Sequence, residues 1–174
     1  MNTQVKHTTL STDVLIAGGG VGGLTAAISI KEHAPDVEVL IVEKQTTGYG
    51  GKANKGGGVL QYFDLNKIKP EDFVKYHVNV IGAFLGDQEL MAKYVAMNNH
   101  MLDKLTEWGA RLPKNPDGSY SVIPTGPLTA MIGVDLDITI KLRRTAEKLG
   151  VKIIDKVAIS DLLTKDGKIA GATG

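Results

Sequence analysis

Three glycines at a fixed spacing, Gly18, Gly20 and Gly23, are the first residues whose pattern predicts chemistry. In a G-x-G-x-x-G turn, the first glycine permits a tight bend and the second has no Cβ to keep a pyrophosphate from the backbone. The third lets the following helix pack closely, and the positive end of that helix favours bound phosphates. The spacing therefore predicts a dinucleotide site, for which Val21 and Gly22 in the same turn are also candidates.

An acidic residue, Glu43, lies 20 positions beyond Gly23. An acid at about this distance accepts hydrogen bonds from ribose hydroxyls in dinucleotide-binding proteins. We therefore predict that Glu43 binds the adenosine ribose and that the neighbouring Lys44 belongs to the same site.

The elements around these residues decide how much the motif means. Residues 13–17 form a short apolar run, typical of a buried strand, that ends at the glycines. Helix formers follow up to Pro35, and residues 37–42 form a second apolar run before Glu43. A lone G-x-G-x-x-G can be an arbitrary glycine-rich turn, but strand, turn, helix, strand and acid together favour a nucleotide-binding βαβ unit.

Composition excludes several other classes of site. The chain has 174 residues, a formal net charge of +1 and no basic stretch, so we do not expect a nucleic-acid partner. It has no cysteine and four scattered histidines, so the sequence predicts no disulfide, iron–sulfur ligand or metal site, and no catalytic triad is recognisable. Redox chemistry would need a bound organic cofactor.

A second glycine cluster, six glycines between positions 48 and 58, follows the second predicted strand. A segment this rich in glycine is either a flexible linker or a backbone that passes close to a ligand. Its position beside the expected nucleotide favours the ligand. Lys52 would add positive charge there or is a solvated surface lysine. The candidate cofactor-binding residues of this cluster are Gly50, Gly51, Lys52, Gly57 and Gly58.

The sequence DVLIAGGGVGGL, followed by Glu43-Lys44 and the second glycine cluster, resembles the fumarate reductase and succinate dehydrogenase flavoprotein family. The similarity continues through residues 71–74 (EDFV) and 105–109 (LTEWG), particularly to the adenylylsulfate reductase α subunit, and L-aspartate oxidase is a further relative. The resemblance covers residues 13–174. It implies an α/β, Rossmann-like FAD/NAD(P)-binding fold with a parallel sheet, inserted helices and a β-meander.

The same resemblance implies a function. We expect an FAD-dependent oxidoreductase that passes electrons between a small anionic substrate and an electron carrier, with an iron–sulfur subunit as the suggested partner. Backbone atoms of Val157 and Ala158 would contact the adenine. Some members of the family attach FAD to a histidine after the second strand, but no histidine lies between Lys44 and Tyr76, so we predict non-covalent FAD. An NAD(P)-binding oxidoreductase domain and a non-catalytic nucleotide-binding module remain alternatives.

Periodicity predicts two helices in the middle of the chain. The first runs from Pro70 to residue 85, and the second begins at Asp87 as its cap and stops at Gly109. His77 is interpreted as a structural residue rather than a ligand contact. The face predicted for the first helix consists of Phe73, His77, Val80 and Phe84, and the core stripe predicted for the second consists of Leu90, Tyr94, Met97, Met101, Leu105 and Trp108.

The last third contains turns, a helix and further strands. Residues 111–127 are predicted to be loop with a small hairpin at Asp117-Gly118, and residues 125–127 are a functional loop or a plain surface turn. Asp135 and Asp137 precede a helix with buried positions at Leu136, Ile140, Leu142, Ala146 and Leu149. Residues 151–154 form a third parallel strand, and residues 157–164 and 169–172 flank an Asp-Gly hairpin turn.

The domain organisation follows from the resemblance. Residues 1–12 are predicted to be a flexible tail and residues 13–174 the N-terminal segment of an FAD-binding domain, which is incomplete in this chain. The capping domain and the return segment of the family are expected to be absent. No apolar run is long enough to cross a membrane, and the polar start favours a cytoplasmic protein without direct membrane insertion.

A first prediction is that residues 1–174 alone turn over no substrate. The groups that would bind a substrate and deliver a proton have no counterpart in the sequence, and their positioning and electrostatic effects each contribute several kcal/mol to catalysis. The assay supplies the chain with FAD and follows reduction of a dye by succinate or aspartate and oxidation of a reduced dye by fumarate or adenylylsulfate. Substrate-dependent turnover would show that the family, or the location of its catalytic residues, was predicted wrongly.

Overall fold

The computed structural model describes residues 8–174, so most of the predicted tail lies outside the described residues. Residues 8–12 have no regular secondary structure, although the Thr12 hydroxyl donates a hydrogen bond to the Glu38 carbonyl at 2.8 Å. Two compact units make up the chain. The first contains the residues up to Asn54 together with Leu142–Gly174, and the second contains Lys55–Lys141.

Eight strands and four α-helices occur along the described residues. The strands are β1 Val14–Ala17, β2 Val39–Glu43, β3 Val59–Tyr62, β4 Ile123–Pro124, β5 Ala130–Gly133, β6 Lys152–Asp155, β7 Asp161–Lys165 and β8 Lys168–Thr173. The helices are α1 Val21–His33, α2 Pro70–Tyr76, α3 Gln88–Glu107 and α4 Ile138–Lys148, with a 3-10 turn at Ala53–Lys55 and a π-helical turn at His77–Ile81.

The first unit contains a parallel sheet in the order β1-β2-β6, which confirms the predicted βαβ unit and third parallel strand. β2 is central and all five of its residues are buried. β1 pairs with β2 alone among the described strands, and Leu15 is 36% exposed, so the prediction of a buried first strand was wrong. A strand paired on one side keeps part of its surface open.

Helix α1 packs on this sheet through buried Leu24, Ala27 and Ile28. It ends at His33, before the proline that the sequence gives as its stop. Gly23 makes the close packing possible, because a Cβ added there would overlap with the carbonyl oxygen of Gly18.

Strands β7 and β8 form an antiparallel hairpin whose turn residues, Asp166 and Gly167, have positive φ values of 52° and 73°. The predicted Asp-Gly hairpin is therefore confirmed. Its first strand begins at Asp161 rather than at Val157, so the described meander consists of two strands. Residues 157–160 form no strand.

In the second unit an antiparallel sheet has the order β3-β5-β4. The sequence predicted no strand for the residues of β3 or β4. β4 has only two residues and pairs with the next strand, whereas β3 pairs with residues 130–133, far away in the chain. The predicted small hairpin is present as a bridge between Lys114 and Tyr120 around Gly118, and residues 125–127 lie in the turn between β4 and β5. Two buried clusters, Phe63, Phe73 and Val95, and Leu102, Leu112 and Ile132, form the core of this unit.

The predicted helix at residues 70–85 is shorter than expected. Helix α2 begins at Pro70 and ends at Tyr76, and a π-helical turn closed by a 2.7 Å bond from Gly82 N–H to the His77 carbonyl follows it. The wider π turn moves later residues out of the predicted row. Phe73, which precedes this turn, is buried as predicted, whereas Val80 within the turn is 65% exposed. Phe84 lies beyond the turn at a φ of +64° and is 70% exposed.

Helix α3 has the predicted cap, because the Asp87 carboxylate accepts the Leu90 N–H at 2.9 Å. Its buried face is different from the predicted stripe. Asn98 fixes that face, since its side chain binds the Phe63 N–H and the Gln61 carbonyl in and beside β3. Leu105 and Trp108 are buried as predicted, Leu90, Tyr94 and Met97 are exposed, and the remaining buried residues of the helix are Val95, Asn98 and Leu102.

Asp135 and Asp137 lie just before α4, as predicted, and both form ion pairs with Lys141. Leu142 and Ala146 are buried, but Leu136 is 71% exposed and Leu149 is exposed, so these two positions were predicted wrongly. Among residues 8–174, no helix has both the length and the apolar character needed to cross a bilayer. The same residues contain no cluster of metal-ligating side chains.

The packing at Gly23 makes a second prediction. Gly23→Ala should lower the free energy of unfolding by about 1–3 kcal/mol, the usual cost of overpacking, because the new methyl group meets the rigid Gly18 backbone. Gly22→Ala is the matched control, since a Cβ there meets nothing within 4 Å. Denaturant unfolding without cofactor measures both variants, and equal stability would contradict the packing described here.

Candidate functional site

A cleft of about 260 Å³ opens at the carboxyl ends of β1 and β2. Parallel strands end at the same edge of a sheet, which is where open α/β sheets bind ligands. Five predicted site residues are brought together in this cleft. Its lining consists of Ala17, Gly18, Val42, Glu43, Lys44, Val157, Ala158 and Ile159.

The glycine turn presents backbone donors beside this edge. Gly18 has a φ of +109°, a conformation that favours glycine. Gly20 occupies the N-cap of α1 without a side-chain cap, and the first turn of the helix contains no acidic residue. A Cβ added at Gly20 or Gly22 would meet nothing within 4 Å, so the space beside the Cα atoms of these two residues is open. Val21 is 40% exposed at the same helix end, and the turn therefore fits a pyrophosphate.

Part of the second glycine cluster reaches the same turn. A Cβ added at Gly51 would lie 3.5 Å from the Gly20 Cα, and one added at Gly50 would lie 3.7 Å from Glu43 Oε1. Gly50 and Gly51 thus lie beside the glycine turn, and their contact with a ligand stays a prediction.

Three other candidates of that cluster are placed differently. Lys52 is exposed, and Gly57 and Gly58 belong to the second unit. Gly58 has a φ of +70°, and its carbonyl accepts the Val134 N–H at 2.8 Å. Their role at the cofactor stays a prediction.

Glu43 has a role that the sequence did not reveal. The residue is 8% exposed, and its Oε2 accepts the Gly19 N–H at 2.7 Å while Oε1 accepts the Gln45 N–H at 2.8 Å. Both bonds fix the position of backbone beside the cleft, at Gly19 and at Gln45. A carboxylate has about four acceptor positions, so the side chain keeps the capacity to accept ribose hydroxyls.

The segment after β6 is directed into the cleft by a left-handed residue. Lys156 has a φ of +67°, which is uncommon for a residue with a side chain. Its N–H donates to the Gln45 carbonyl at 2.9 Å, and the Val157 N–H donates to the Glu43 carbonyl at 3.1 Å. These bonds place Val157 and Ala158 beside Glu43, and their contact with an adenine stays a prediction.

Sequence reasoning missed three residues that support this arrangement. Thr47 is fully buried behind Gly19, and Arg143 and Asp155 hold its backbone. Their partners are distant in the chain, so no local pattern could have identified them.

The fold and the cleft together define a dinucleotide-binding domain of the Rossmann-like type. The model of the FAD-binding-domain family matches residues 13–174, and the chain therefore belongs to this family. Its cofactor is FAD, and the chain is related to the fumarate reductase and succinate dehydrogenase flavoproteins, as the sequence indicated.

Individual relatives agree with this assignment. The chain is 27% identical over 170 residues to the fumarate reductase flavoprotein subunit of Mycobacterium tuberculosis, covering 91% of this chain and 28% of the relative. It is 27% identical over 171 residues to the L-aspartate oxidase of Clostridium acetobutylicum, covering 94% and 38%. Adenylylsulfate reductase from Archaeoglobus fulgidus superposes with a TM-score of 0.71 at 27% identity, covering 92% and 26%. The chain thus spans less than two fifths of these proteins.

The geometry at Glu43 makes a third prediction. Glu43→Gln should weaken FAD binding by about 1.5–3 kcal/mol, the range for hydrogen bonds to a charged group, because an amide has one acceptor oxygen for two N–H groups and a ribose. Titration of the protein with FAD measures the loss. Glu38→Gln is the control, since its exposed carboxylate pairs with Lys152 and lies outside the residues that line the cleft. Equal affinity in both variants would remove Glu43 from the site.

Proposed function

We propose that the protein is an FAD-dependent oxidoreductase that passes two electrons between a small anionic substrate and an electron carrier. The observation that carries the proposal is the cleft in which Gly18, Glu43 and Val157 meet at the edge of the parallel sheet, beside the uncapped start of α1. This arrangement provides donors for phosphates and an acceptor for a ribose in the order that a dinucleotide requires.

Each part of FAD has a proposed place on the described residues. The pyrophosphate would bind the N–H groups of Gly20, Val21 and Gly22, and the adenosine ribose would bind Glu43. Backbone atoms of residues 157–158 would contact the adenine.

The second glycine cluster would serve the remainder of the cofactor. Gly50 and Gly51 would let the backbone approach FAD, and Lys52 would supply positive charge. Gly57 and Gly58 are proposed as further cofactor-binding residues. The isoalloxazine ring supplies the redox chemistry, while the protein binds and orients it.

The class of substrate is proposed from the relatives. Their names refer to fumarate and L-aspartate, and a solved relative is an adenylylsulfate reductase, all of which concern small anions. An iron–sulfur subunit is the proposed electron carrier. Because this chain has no cysteine, the thiolates of such a cluster would belong to another part of the assembly.

Flavin absorbance tests the proposed reaction directly. The test uses the whole protein, of which residues 1–174 are proposed to be one segment, loaded with FAD. It is reduced with dithionite without oxygen, and fumarate or adenylylsulfate is added. In a second arm the oxidised protein receives succinate or aspartate. The proposal expects one of these anions to reoxidise or to bleach the flavin. A flavin that responds to none of them would favour a non-catalytic binding module.

The linkage of the cofactor is a fourth prediction. With no histidine between Lys44 and Tyr76, FAD should be released when the protein is precipitated with acid, and the yellow colour should pass to the supernatant. Colour that stays in a washed pellet would show a covalent bond. A mass spectrum of the pellet would then identify the attached residue.

A further inference from the structure

An ion pair outside the cofactor cleft binds the backbone of the segment that lies behind the glycine turn. Arg143 of α4 and Asp155 at the end of β6 approach to 2.9 Å between Nη1 and Oδ2, and each side chain is 23% exposed. Neither residue lines the cleft. The pair is thus largely removed from water without touching the proposed ligand position.

Both charged side chains also form hydrogen bonds with the backbone of Thr47. Asp155 Oδ1 accepts the Thr47 N–H at 2.7 Å, and Arg143 Nη1 donates to the Thr47 carbonyl at 3.0 Å. The peptide groups on both sides of one buried residue are therefore held by one ion pair. Charge-assisted bonds of this kind are stronger than bonds between neutral groups.

Thr47 in turn touches the middle of the glycine turn. A Cβ added at Gly19 would lie 2.8 Å from the Thr47 Cβ, and the Gly48 N–H donates to the Gly19 carbonyl at 3.1 Å. The opposite side of the same glycine is held by Glu43, which accepts its N–H at 2.7 Å. The position of Gly19 is thus fixed from both directions.

We propose that Arg143 and Asp155 are positioning residues for FAD, which hold Thr47 behind Gly19 and so keep the N–H groups of the glycine turn oriented toward the pyrophosphate. The inference rests on the proposed placement of the pyrophosphate. The clamp, meaning Arg143, Asp155 and Thr47, acts on the ADP half of the cofactor.

The charges of the clamp persist through the neutral pH range. Burial raises the pKa of Asp155, but the hydrogen bonds from Thr47 and Arg143 outweigh it, and the pKa lies below its usual value. The hydrogen bond that Arg143 donates to Glu147 raises the pKa of Arg143, burial opposes this rise, and the hydrogen bond that Arg143 donates to Asp155 adds to it. The arrangement is therefore intact at the pH of an ordinary binding assay.

The test compares Asp155→Asn and Arg143→Gln with the wild-type protein. Asparagine cannot accept both the Thr47 N–H and the Arg143 guanidinium as the carboxylate does, and glutamine removes the charge. Arg144→Gln is the matched control, because Arg144 is the exposed neighbour on the same helix. FAD and ADP affinities are measured by titration, and denaturant unfolding of the cofactor-free protein reports how much of each variant is folded.

We expect both clamp variants to bind FAD and ADP about tenfold or more weakly, a change that corresponds to about 1.4 kcal/mol. The double variant should lose little more than either single variant, because the two side chains act as one unit. Arg143→Lys should recover part of the affinity by restoring the charge. Arg144→Gln should bind like the wild type.

If Arg143 and Asp155 only stabilise the fold, a different result is expected. A variant that stays more than about 99% folded cannot lose tenfold in affinity through global unfolding alone. Unchanged FAD and ADP affinity in folded variants would overturn the inference while leaving the proposed function intact. If the wild-type protein binds neither ligand, the proposed function fails and the inference fails with it. Should Asp155→Asn not fold, Arg143→Gln and Arg143→Lys decide the question.

Discussion

The hydrogen bond between the Gly19 N–H and the Glu43 carboxylate, 2.7 Å long and buried, is the interaction on which the nucleotide-binding unit depends. Gly19 lies in the turn between β1 and α1, and Glu43 ends β2, so the bond attaches the turn to the edge of the sheet. Hydrogen bonds to a buried charge contribute about 1.5–3 kcal/mol, and breaking one leaves both groups unpaired. The second oxygen of the same carboxylate holds Gln45, from which the next glycine segment begins.

The parts of the fold that the sequence predicted correctly are those determined by neighbours in the chain. The βαβ unit follows from apolar runs and glycine spacing, the cap at Asp87 from a side chain that binds its own helix, and the hairpin at Asp166 from two residues that adopt positive φ. In each case the signal lies in a short stretch of sequence, so propensity and periodicity contain the information.

The parts that the sequence missed depend on distant contacts. The predicted helix gives way to a π-helical turn after Tyr76 and ends at Ile81, so Val80 and Phe84 are exposed, which a 3.6-residue period cannot show. The buried face of α3 is chosen by the bonds of Asn98 to the region of β3. The site follows the same rule: glycines marked the turn, whereas the hold of Arg143 on Thr47 joins residues 96 positions apart. A structural role for Glu43 was hidden because the same residue type suits a ribose.

The most direct test of the account is a crystal structure of the protein with FAD bound. The pyrophosphate should lie within hydrogen-bonding distance, roughly 3 Å, of the N–H groups at the start of α1, with a ribose hydroxyl on Glu43 and the adenine beside residues 157–158. Gly19 should keep its bond to Glu43 in the complex. FAD bound elsewhere, or a Glu43 carboxylate that swings away from Gly19 without contacting the ribose, would contradict the account.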